Sequence, residues 1–177
     1  MIDLIIPHYN NIEGLKRTLA SIDTHIFDVL VLDDASTDDI SFIKSLPKHY
    51  LFLHNCGPGK VRQHGLRMTD KSYVMFMDAG DVFTSFEAQQ GIAAAAYAYP
   101  DVNVFSFPYF HKGKLTKETD NRIHGKLYKR EFLDRYNISF APESSYLNED
   151  IGFNRTCRLC TEAENRPIFF GKLPVLD

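Results

Sequence analysis

Apolar runs alternate with amphipathic stretches along the first half of the chain. Four runs are continuous, which is typical of strands buried on both faces of a parallel sheet. They cover residues 2–6, 27–32, 50–55 and 72–77. Between them, apolar side chains recur every three or four positions and predict helices at residues 12–22, 35–46 and 60–69. The resulting β-α-β-α-β-α-β order indicates a parallel sheet with helices on both faces.

The second half of the chain has a less regular pattern. It predicts an alanine-rich helix, a strand, a polar loop or outlying hairpin, a helix, a loop leading into another helix, and a last strand. In order, these cover residues 84–99, 102–110, 111–125, 126–137, 141–163 and 167–177. The sequence has no repeat or linker, so we expect one α/β domain over residues 1–177, with a mostly parallel central sheet flanked by helices.

Polar residues follow each of the four predicted parallel strands. In open α/β sheets, ligands bind in the crevice beyond the carboxyl ends of the strands. That rule places residues 7–10, 33–34, 55–59 and 78–81 on one rim. Three of these four segments carry carboxylates or helix N-termini, and such groups hold metal ions and phosphates. The sequence therefore predicts a ligand site at this rim.

Composition limits the classes of partner and compartment. The net charge is −3, so we expect no nucleic-acid partner. No apolar run approaches the ~18 residues that a membrane span needs, and the N-terminus lacks the pattern of a signal peptide. Three cysteines fit a reducing compartment better than a disulfide framework. We expect a cytoplasmic protein, either free or at the inner face of a membrane.

Five short motifs occur in order between residue 2 and about residue 155. They are IIPHYNNIEGLKRTLASI, VLDDASTDD, NCGPGKVRQHGL, MDAGDVF and, at residues 148–150, NED. Together they resemble family 2 glycosyltransferases, which carry Pro-x-Tyr-Asn, Val-x-Asp-Asp-x-Ser-x-Asp, an Asn-Gly-Arg segment, Asp-x-Asp-Asp and Glu-Asp. The family commonly continues beyond the last motif, so we expect either a compact member or a chain truncated at its C-terminus.

The resemblance implies a GT-A fold and an inverting transfer of a sugar from a nucleotide-diphosphate donor to an acceptor hydroxyl. It also implies a divalent cation, Mn²⁺ or Mg²⁺, because a hard cation neutralises the charge of a diphosphate leaving group. We expect a UDP-sugar as donor and a glycan, lipid-linked or protein acceptor. Synthesis of surface polysaccharide or glycoconjugate is the expected setting.

The resemblance also implies roles for individual residues. Asp81 is the expected metal ligand, and Asp78 contacts the metal or the ribose. Asp150 is the candidate general base, with Glu149 as the neighbour to exclude. The donor-binding candidates are the backbone of Pro7 and Tyr9, either Asp33 or Asp34 for the base, either Lys60 or Arg62 for phosphate, and the rim residues Asn55, Gly57 and Ala79.

One departure from the family pattern bears on the metal. Gly80 stands where the Asp-x-Asp-Asp motif usually has an acid, so the site has one carboxylate fewer. We expect weaker metal binding, or coordination completed by water and the substrate's phosphates. Taken one by one, the aspartates could also be turn or cap residues, with Ser36 or Thr37 capping the second helix. His124 is more often a surface or hydrogen-bonded histidine than a ligand.

Two other functions stay open at this point. A non-catalytic sugar-nucleotide binding module would keep the rim aspartates but would not need Asp150. A nucleotidyltransferase also places aspartates on the rim of such a sheet. Those enzymes usually have a glycine- and arginine-rich loop after the first strand, and PHYNNIEG lacks it.

Overall fold

The computed structural model describes residues 1–108, 110–111, 114–115, 122–140, 149–166 and 168–170. Its strands are β1 (Ile2–His8), β2 (Phe27–Asp33), β3 (His49–Leu51), β4 (Tyr73–Phe76), β5 (Val104–Ser106), β6 (Phe110–His111), β7 (Lys114–Leu115), β8 (Lys126–Lys129) and β9 (Phe169–Phe170). Its helices are α1 (Ile12–Ala20), α2 (Ser41–Lys44), α3 (Pro58–Met68), α4 (Phe86–Ala98), α5 (Arg130–Arg135) and α6 (Glu149–Ala163). No helix in these ranges is both long and apolar enough to span a membrane.

The central sheet has the strand order β3-β2-β1-β4-β8-β5-β9. Strands β3, β2, β1 and β4 are parallel, and β9 is parallel to β5. Among the described strands of this sheet, only β8 is antiparallel to its neighbours, β4 and β5. The prediction of a mostly parallel sheet flanked by helices is confirmed. Strands β6 and β7 pair with each other as the outlying hairpin.

The sheet separates two hydrophobic clusters, because successive side chains of a strand point to opposite faces. On one face, Leu4 and Met75 pack with Leu15 of α1 and Ile92 of α4. On the other face lie Ile5, Leu32 and Phe76, with Val61 of α3 and Phe153 of α6. The helices therefore cover both faces, and the carboxyl edge of β1, β2 and β4 stays open for the rim segments.

The prediction of a helix over residues 126–137 is wrong in its first part. Residues Lys126–Lys129 form β8, and only Arg130–Arg135 are helical. Leu127 and Tyr128 are both buried between the pairing strands, so burial on two faces overrides the helix-like spacing. Because β8 is antiparallel to β4, the residues just before β8 lie at the carboxyl edge of β4.

The second predicted helix is also shorter than expected. Helix α2 covers only Ser41–Lys44, and Ile40 precedes it without a side-chain hydrogen bond to the helix among the described residues. Ser36 and Thr37 are therefore not its caps, because they hydrogen-bond to rim residues instead. Of the predicted last strand, Phe169–Phe170 are confirmed, and residues 171–177 lie outside the described part.

Candidate functional site

The carboxyl edge of the sheet opens into a cavity of about 550 Å³. Most of the predicted site residues line it: Pro7, Tyr9, Asp34, Asn55, Gly57, Arg62, Asp78, Ala79, Glu149 and Asp150. His8 and His124, which the sequence did not single out for a role here, line it as well. Segments far apart in the sequence thus converge on one cleft, as the rule for parallel sheets predicts.

Asp33 lies behind the wall of the cavity rather than on it. Its buried carboxylate accepts a hydrogen bond from His8 Nδ1 at 2.8 Å and others from the Ser36 hydroxyl and backbone N–H. His8 Nε2 accepts from the Asn11 N–H at 3.1 Å, so the ring proton lies on Nδ1, facing Asp33. Asp33 and His8 together connect the loop after β1 to the loop after β2.

Asp34 lines the cavity and also holds the loop that leads into α3. Its two carboxylate oxygens accept from the backbone N–H groups of Cys56 and Gly57 at 2.8 and 2.9 Å. The Asn55 amide donates to the Asp34 carbonyl oxygen. Burial, together with a hydrogen bond to Asp34 and the charge of its carboxylate, raises the pKa of the Cys56 thiol to about 11.

Two asparagines after β1 fasten the rim loops together. The side-chain oxygen of Asn10 accepts from the Thr37 N–H at 2.8 Å. The Asn11 amide donates to the Ala79 carbonyl at 2.8 Å, while its oxygen caps α1 by accepting from the Gly14 N–H. The Asn of the Pro-x-Tyr-Asn motif therefore has a structural role, and neither asparagine was predicted to have it.

Residues 78–81 form a tight turn, closed by the Asp81 N–H donating to the Asp78 carbonyl at 3.0 Å. Gly80 has a φ of 114°, in the left-handed region that favours glycine. Its N–H donates to the Thr18 hydroxyl at 2.8 Å, and that hydroxyl donates to the Asp81 carbonyl at 2.7 Å. A Cβ at Gly80 would lie 3.2 Å from the Asn11 amide nitrogen. Glycine at position 80 therefore suits the backbone of this turn.

His124 completes a group that could hold a cation. One ligand atom from each of Asp78, Asp81 and His124 lies within 4.8 Å of the other two. His124 Nε2 is 3.1 Å from Asp78 Oδ2 and 3.6 Å from Asp81 Oδ2. His124 is hydrogen-bonded, but the sequence favoured that role over a ligand role and did not place His124 beside the two aspartates, where it is also a possible ligand. Recognising residues 126–129 as an antiparallel strand would have placed it there.

The three side chains fit a hard divalent cation. Two carboxylates suit Mg²⁺ and Mn²⁺, an imidazole extends the set, and three protein ligands leave positions for water or phosphate oxygens. Burial alone would raise the pKa of Asp78, but the His124 hydrogen bond and the Arg62 charge hold it well below its ordinary value. Burial would lower the pKa of His124, and Asp78 and Asp81 raise it. Positive charge is thus already favoured between these carboxylates.

Arg62 links the metal-site turn to α6. The side chain is only 4% exposed, and its two terminal nitrogens donate to Asp78 Oδ1 at 2.6 Å and to Glu149 Oε1 at 2.7 Å. Its Nε has no partner among the residues described. Both Glu149 and Asp150 line the cavity, but Glu149 is held in this ion pair, whereas Asp150 accepts only a local hydrogen bond from the Ile151 N–H in the described part.

Lys60 is not brought to the rim cavity. It lines a separate cavity of about 470 Å³ on the other side of the loop before α3, with Phe52, His64 and Arg67. Of the two residues predicted to meet phosphate, only Arg62 lines the rim cavity. Asp81 also lies outside that lining, although it lies beside Asp78 and His124.

Comparison with known proteins assigns the family. The model of glycosyl transferase family 2 matches residues 3–151, most of the chain. The chain belongs to this family. An uncharacterised glycosyltransferase of Rickettsia conorii is 38% identical over 137 residues, which cover 72% of this chain and 22% of that protein. The poly(ribitol-phosphate) β-N-acetylglucosaminyltransferase TarP of Staphylococcus aureus is 30% identical over 180 residues.

This family 2 chain spans only part of the length of these relatives. The match to TarP includes 85% of this chain but only 55% of TarP. Among solved structures, S. aureus TarS in complex with UDP-GlcNAc superimposes with a TM-score of 0.77 at 21% identity, over 90% of this chain and 53% of that one. At this identity the likeness shows the fold alone. It confirms the predicted GT-A-like architecture.

Proposed function

We propose that this family 2 chain is a metal-dependent, inverting transferase that moves a sugar from a nucleotide-diphosphate donor to an acceptor hydroxyl. The observation that carries the proposal is the convergence of Asp78, Asp81 and His124 beside a cavity that Asp150 also lines. The binding of UDP-GlcNAc by the structurally similar TarS supports a UDP-sugar as donor. This arrangement supports a transferase over a binding module, which would not need Asp150.

The nucleotide lies against the loops after β1, β2 and β3 in this proposal. Asp34 is our candidate for the base contact, because it lines the cavity and Asp33 does not. A carboxylate has about four lone-pair positions, so Asp34 can accept from a base N–H while it holds Cys56 and Gly57. Pro7, Tyr9, Asn55 and Ala79 border the same space.

Asp78, Asp81 and His124 are the residues that would hold Mn²⁺ or Mg²⁺. A bound cation would supply charge neutralisation for the diphosphate leaving group. Arg62 adds positive charge behind Asp78 and fixes the orientation of its carboxylate through the 2.6 Å hydrogen bond. We assign Arg62 to positioning rather than to direct contact with phosphate, because both terminal nitrogens are already engaged.

Asp150 is the general base in this proposal. It accepts the proton of the acceptor hydroxyl as the acceptor oxygen forms its bond to the anomeric carbon. The bond from that carbon to the phosphate oxygen breaks, and the nucleoside diphosphate leaves with the electron pair. A single displacement of this kind inverts the anomeric configuration. Glu149 is set aside as base because Arg62 holds it in a buried ion pair.

The wider setting is proposed from the relatives. TarP is named for transfer of N-acetylglucosamine to poly(ribitol-phosphate), which supports a role in surface polysaccharide or glycoconjugate synthesis. The three cysteines, Cys56, Cys157 and Cys160, suit a reducing compartment better than a disulfide framework. We therefore propose that the chain works in the cytoplasm, either free or at the inner face of a membrane.

A thermal-shift experiment tests the donor site. UDP-GlcNAc and the corresponding GDP- and dTDP-sugars are added with and without Mn²⁺, and we expect a UDP-sugar with Mn²⁺ to raise Tm most. Asp81→Asn should remove the Mn²⁺-dependent part of the shift. If none of these donors raises Tm, the proposed donor site is wrong.

A second experiment separates an enzyme from a binding module. Asp150→Asn should keep the donor-induced shift and abolish sugar transfer, because the amide cannot take the proton. Glu162→Gln, an exposed acid of the same helix, serves as the control and should leave both unchanged. Donor binding without transfer in the unmodified chain, across glycan, lipid-linked and protein acceptors, would favour the binding module.

A further inference from the structure

A second cavity, of about 410 Å³, lies beneath the turn that carries Gly80 and Asp81. It is lined by Met75 of β4 and Met77 just after β4, by Ala88 and Ile92 of α4, and by Phe107 after β5. It lies on the α4 face of the sheet, whereas the rim cavity reaches Val61 and Arg62 of α3. The function proposed above does not use this space.

The interior of this cavity is apolar and its mouth is accessible. Met75, Ile92 and Phe107 are buried members of the hydrophobic cluster on that face of the sheet. At the mouth, Val82 is 51% exposed and Thr84 is exposed as well. A volume of this size is in the range of small-molecule sites, and flexible methionine side chains adapt to the shape of an apolar guest.

The second cavity adjoins the proposed reaction centre. His124 lines both cavities, and Asp81 lines the second one while forming part of the metal group. A molecule in the second cavity would therefore have its polar end beside these two residues. Its apolar end would lie between β4 and α4.

A nucleotide-sugar donor does not match this space. Its base, ribose, diphosphate and sugar all carry charged or hydrogen-bonding groups, which lose free energy when buried without partners. The rim cavity offers such partners through Asp34, Arg62 and Asp78, and the apolar interior of the second cavity does not. The second cavity is therefore suited to the other substrate, the acceptor.

We infer that this cavity binds an aliphatic group attached to the accepting sugar, and that the acceptor class is an alkyl- or lipid-bearing glycoside. That the bound molecule is the acceptor rests on the proposed function. That it carries an aliphatic group rests on the cavity itself. Burial of the chain between β4 and α4 would hold the sugar at the mouth, next to Asp81 and His124. A water-soluble glycan without such a group would forgo this binding energy.

The first test compares two model acceptors of the same sugar on the unmodified chain. Octyl β-D-glucopyranoside, kept below its micelle concentration, and methyl β-D-glucopyranoside are titrated by calorimetry with UDP and Mn²⁺ present. We expect at least tenfold tighter binding of the octyl glycoside, since about 0.8 kcal/mol per buried CH₂ makes two methylenes worth roughly tenfold. Equal affinities would overturn the inference.

A matched pair of variants locates the binding. Ala88→Leu fills the cavity from α4, whereas Ala94→Leu makes the same change at an exposed position of the same helix. We expect Ala88→Leu to reduce the octyl preference to less than threefold and Ala94→Leu to keep it. Octyl preference that persists in folded Ala88→Leu would show binding elsewhere and overturn the assignment.

A measurement without variants guards against misfolding. Intermolecular NOEs should connect the octyl chain to the methyl groups of Met75 and Met77 in the unmodified chain, and their absence would overturn the site. The donor titration is read separately. If the octyl glycoside binds at these methionines but no nucleotide sugar raises Tm, the proposed function fails and the acceptor assignment falls with it, while the aliphatic site stands.

Discussion

Gly80 and His124 have opposite effects on the number of side-chain ligands in the metal group. Gly80 removes a carboxylate from the motif, and its φ of 114° is one that glycine adopts without strain. His124 adds a nitrogen ligand from a segment more than forty positions further along the chain. The site therefore keeps three side-chain ligands for a cation, although the motif read along the sequence is one acid short.

Gly80→Ala tests the role of the turn. Because φ is 114° at this position, we expect a loss of about 1–3 kcal/mol in the free energy of unfolding. Gly152→Ala in α6 is the matched control, since a Cβ there meets nothing within 4 Å. The control should be neutral or more stable by up to about 1 kcal/mol. Chemical denaturation measures both, and equal effects would contradict the strain at Gly80.

His124→Gln tests the third ligand. We expect Mn²⁺ affinity, measured by calorimetry in the presence of UDP, to fall at least about tenfold, a loss that second-shell substitutions already reach. His25→Gln, at an exposed position, should leave the affinity unchanged. If His124→Gln binds Mn²⁺ as well as the unmodified chain, the metal is held by the aspartates alone.

At the scale of single residues, the sequence identified the carboxylates of the site but not the side chains that contact them. Asp34, Asp78 and Asp150 were predicted at the site and line its cavity. Asp33 is adjacent to Asp34, and Lys60 is a basic residue two positions before Arg62, but neither Asp33 nor Lys60 lines the cavity. Which of two adjacent residues lines a cavity depends on the twist and register of the strand end, and composition does not contain that information.

At the scale of elements, β8 positions a ligand by its direction. Its pairing with β4 is antiparallel, so the chain enters β8 at the same edge where β4 ends. A parallel strand in this place would begin at the opposite edge and carry position 124 away from Asp78. The sequence KLYKREFL has apolar spacing that fits a helix as well as a strand, so only the pairing itself decides.

Arg62→Met tests the contact between α3, α6 and the turn of residues 78–81. It leaves Glu149 buried without its partner, and we expect a loss of about 3 kcal/mol in the free energy of unfolding. The lower end of the usual range applies because the Asp78 side chain is 42% exposed and can be solvated. Arg67→Met, exposed on the same helix, should stay within about 0.5 kcal/mol.

Arg62→Met should also change the Mn²⁺ affinity of the site. Without Arg62, Asp78 is held by His124 alone among the described contacts, so Mn²⁺ affinity should fall together with stability. Glu149→Gln keeps a hydrogen-bond acceptor for Arg62 and should be milder in both measurements. A purely structural role for Arg62 would lower stability and leave the Mn²⁺ affinity of the folded protein unchanged.

At the scale of the whole molecule, folding changes the pKa of the cysteine thiols and so their reactivity. The pKa of Cys56 is about 11, so at pH 8 roughly one part in a thousand is the reactive thiolate. Burial also raises the pKa of Cys157. We expect iodoacetamide to label Cys56 slowly at pH 8, with a rate that keeps rising toward pH 11. Mass spectrometry follows the reaction, and a rate that levels off near pH 9 would contradict the raised pKa.

The fold class, the family and the rim were predictable from the whole sequence, because parallel strands and ordered motifs both leave local signals. The first four strands were placed by continuous apolar runs; the structure confirms a strand at each, but the third covers only His49–Leu51 instead of residues 50–55. The antiparallel β8 and the second cavity were not predictable, since they depend on contacts between segments such as Met75 and Phe107, which no local pattern connects.

The imidazole of His124 lines both cavities, so it can couple binding in one cavity to binding in the other. If an occupant of the apolar cavity shifts this ring, it changes the affinity for a cation at Asp78 and Asp81. By reciprocity the cation changes the affinity for that occupant by the same factor. A single side chain would then couple binding of the acceptor to binding of the cation.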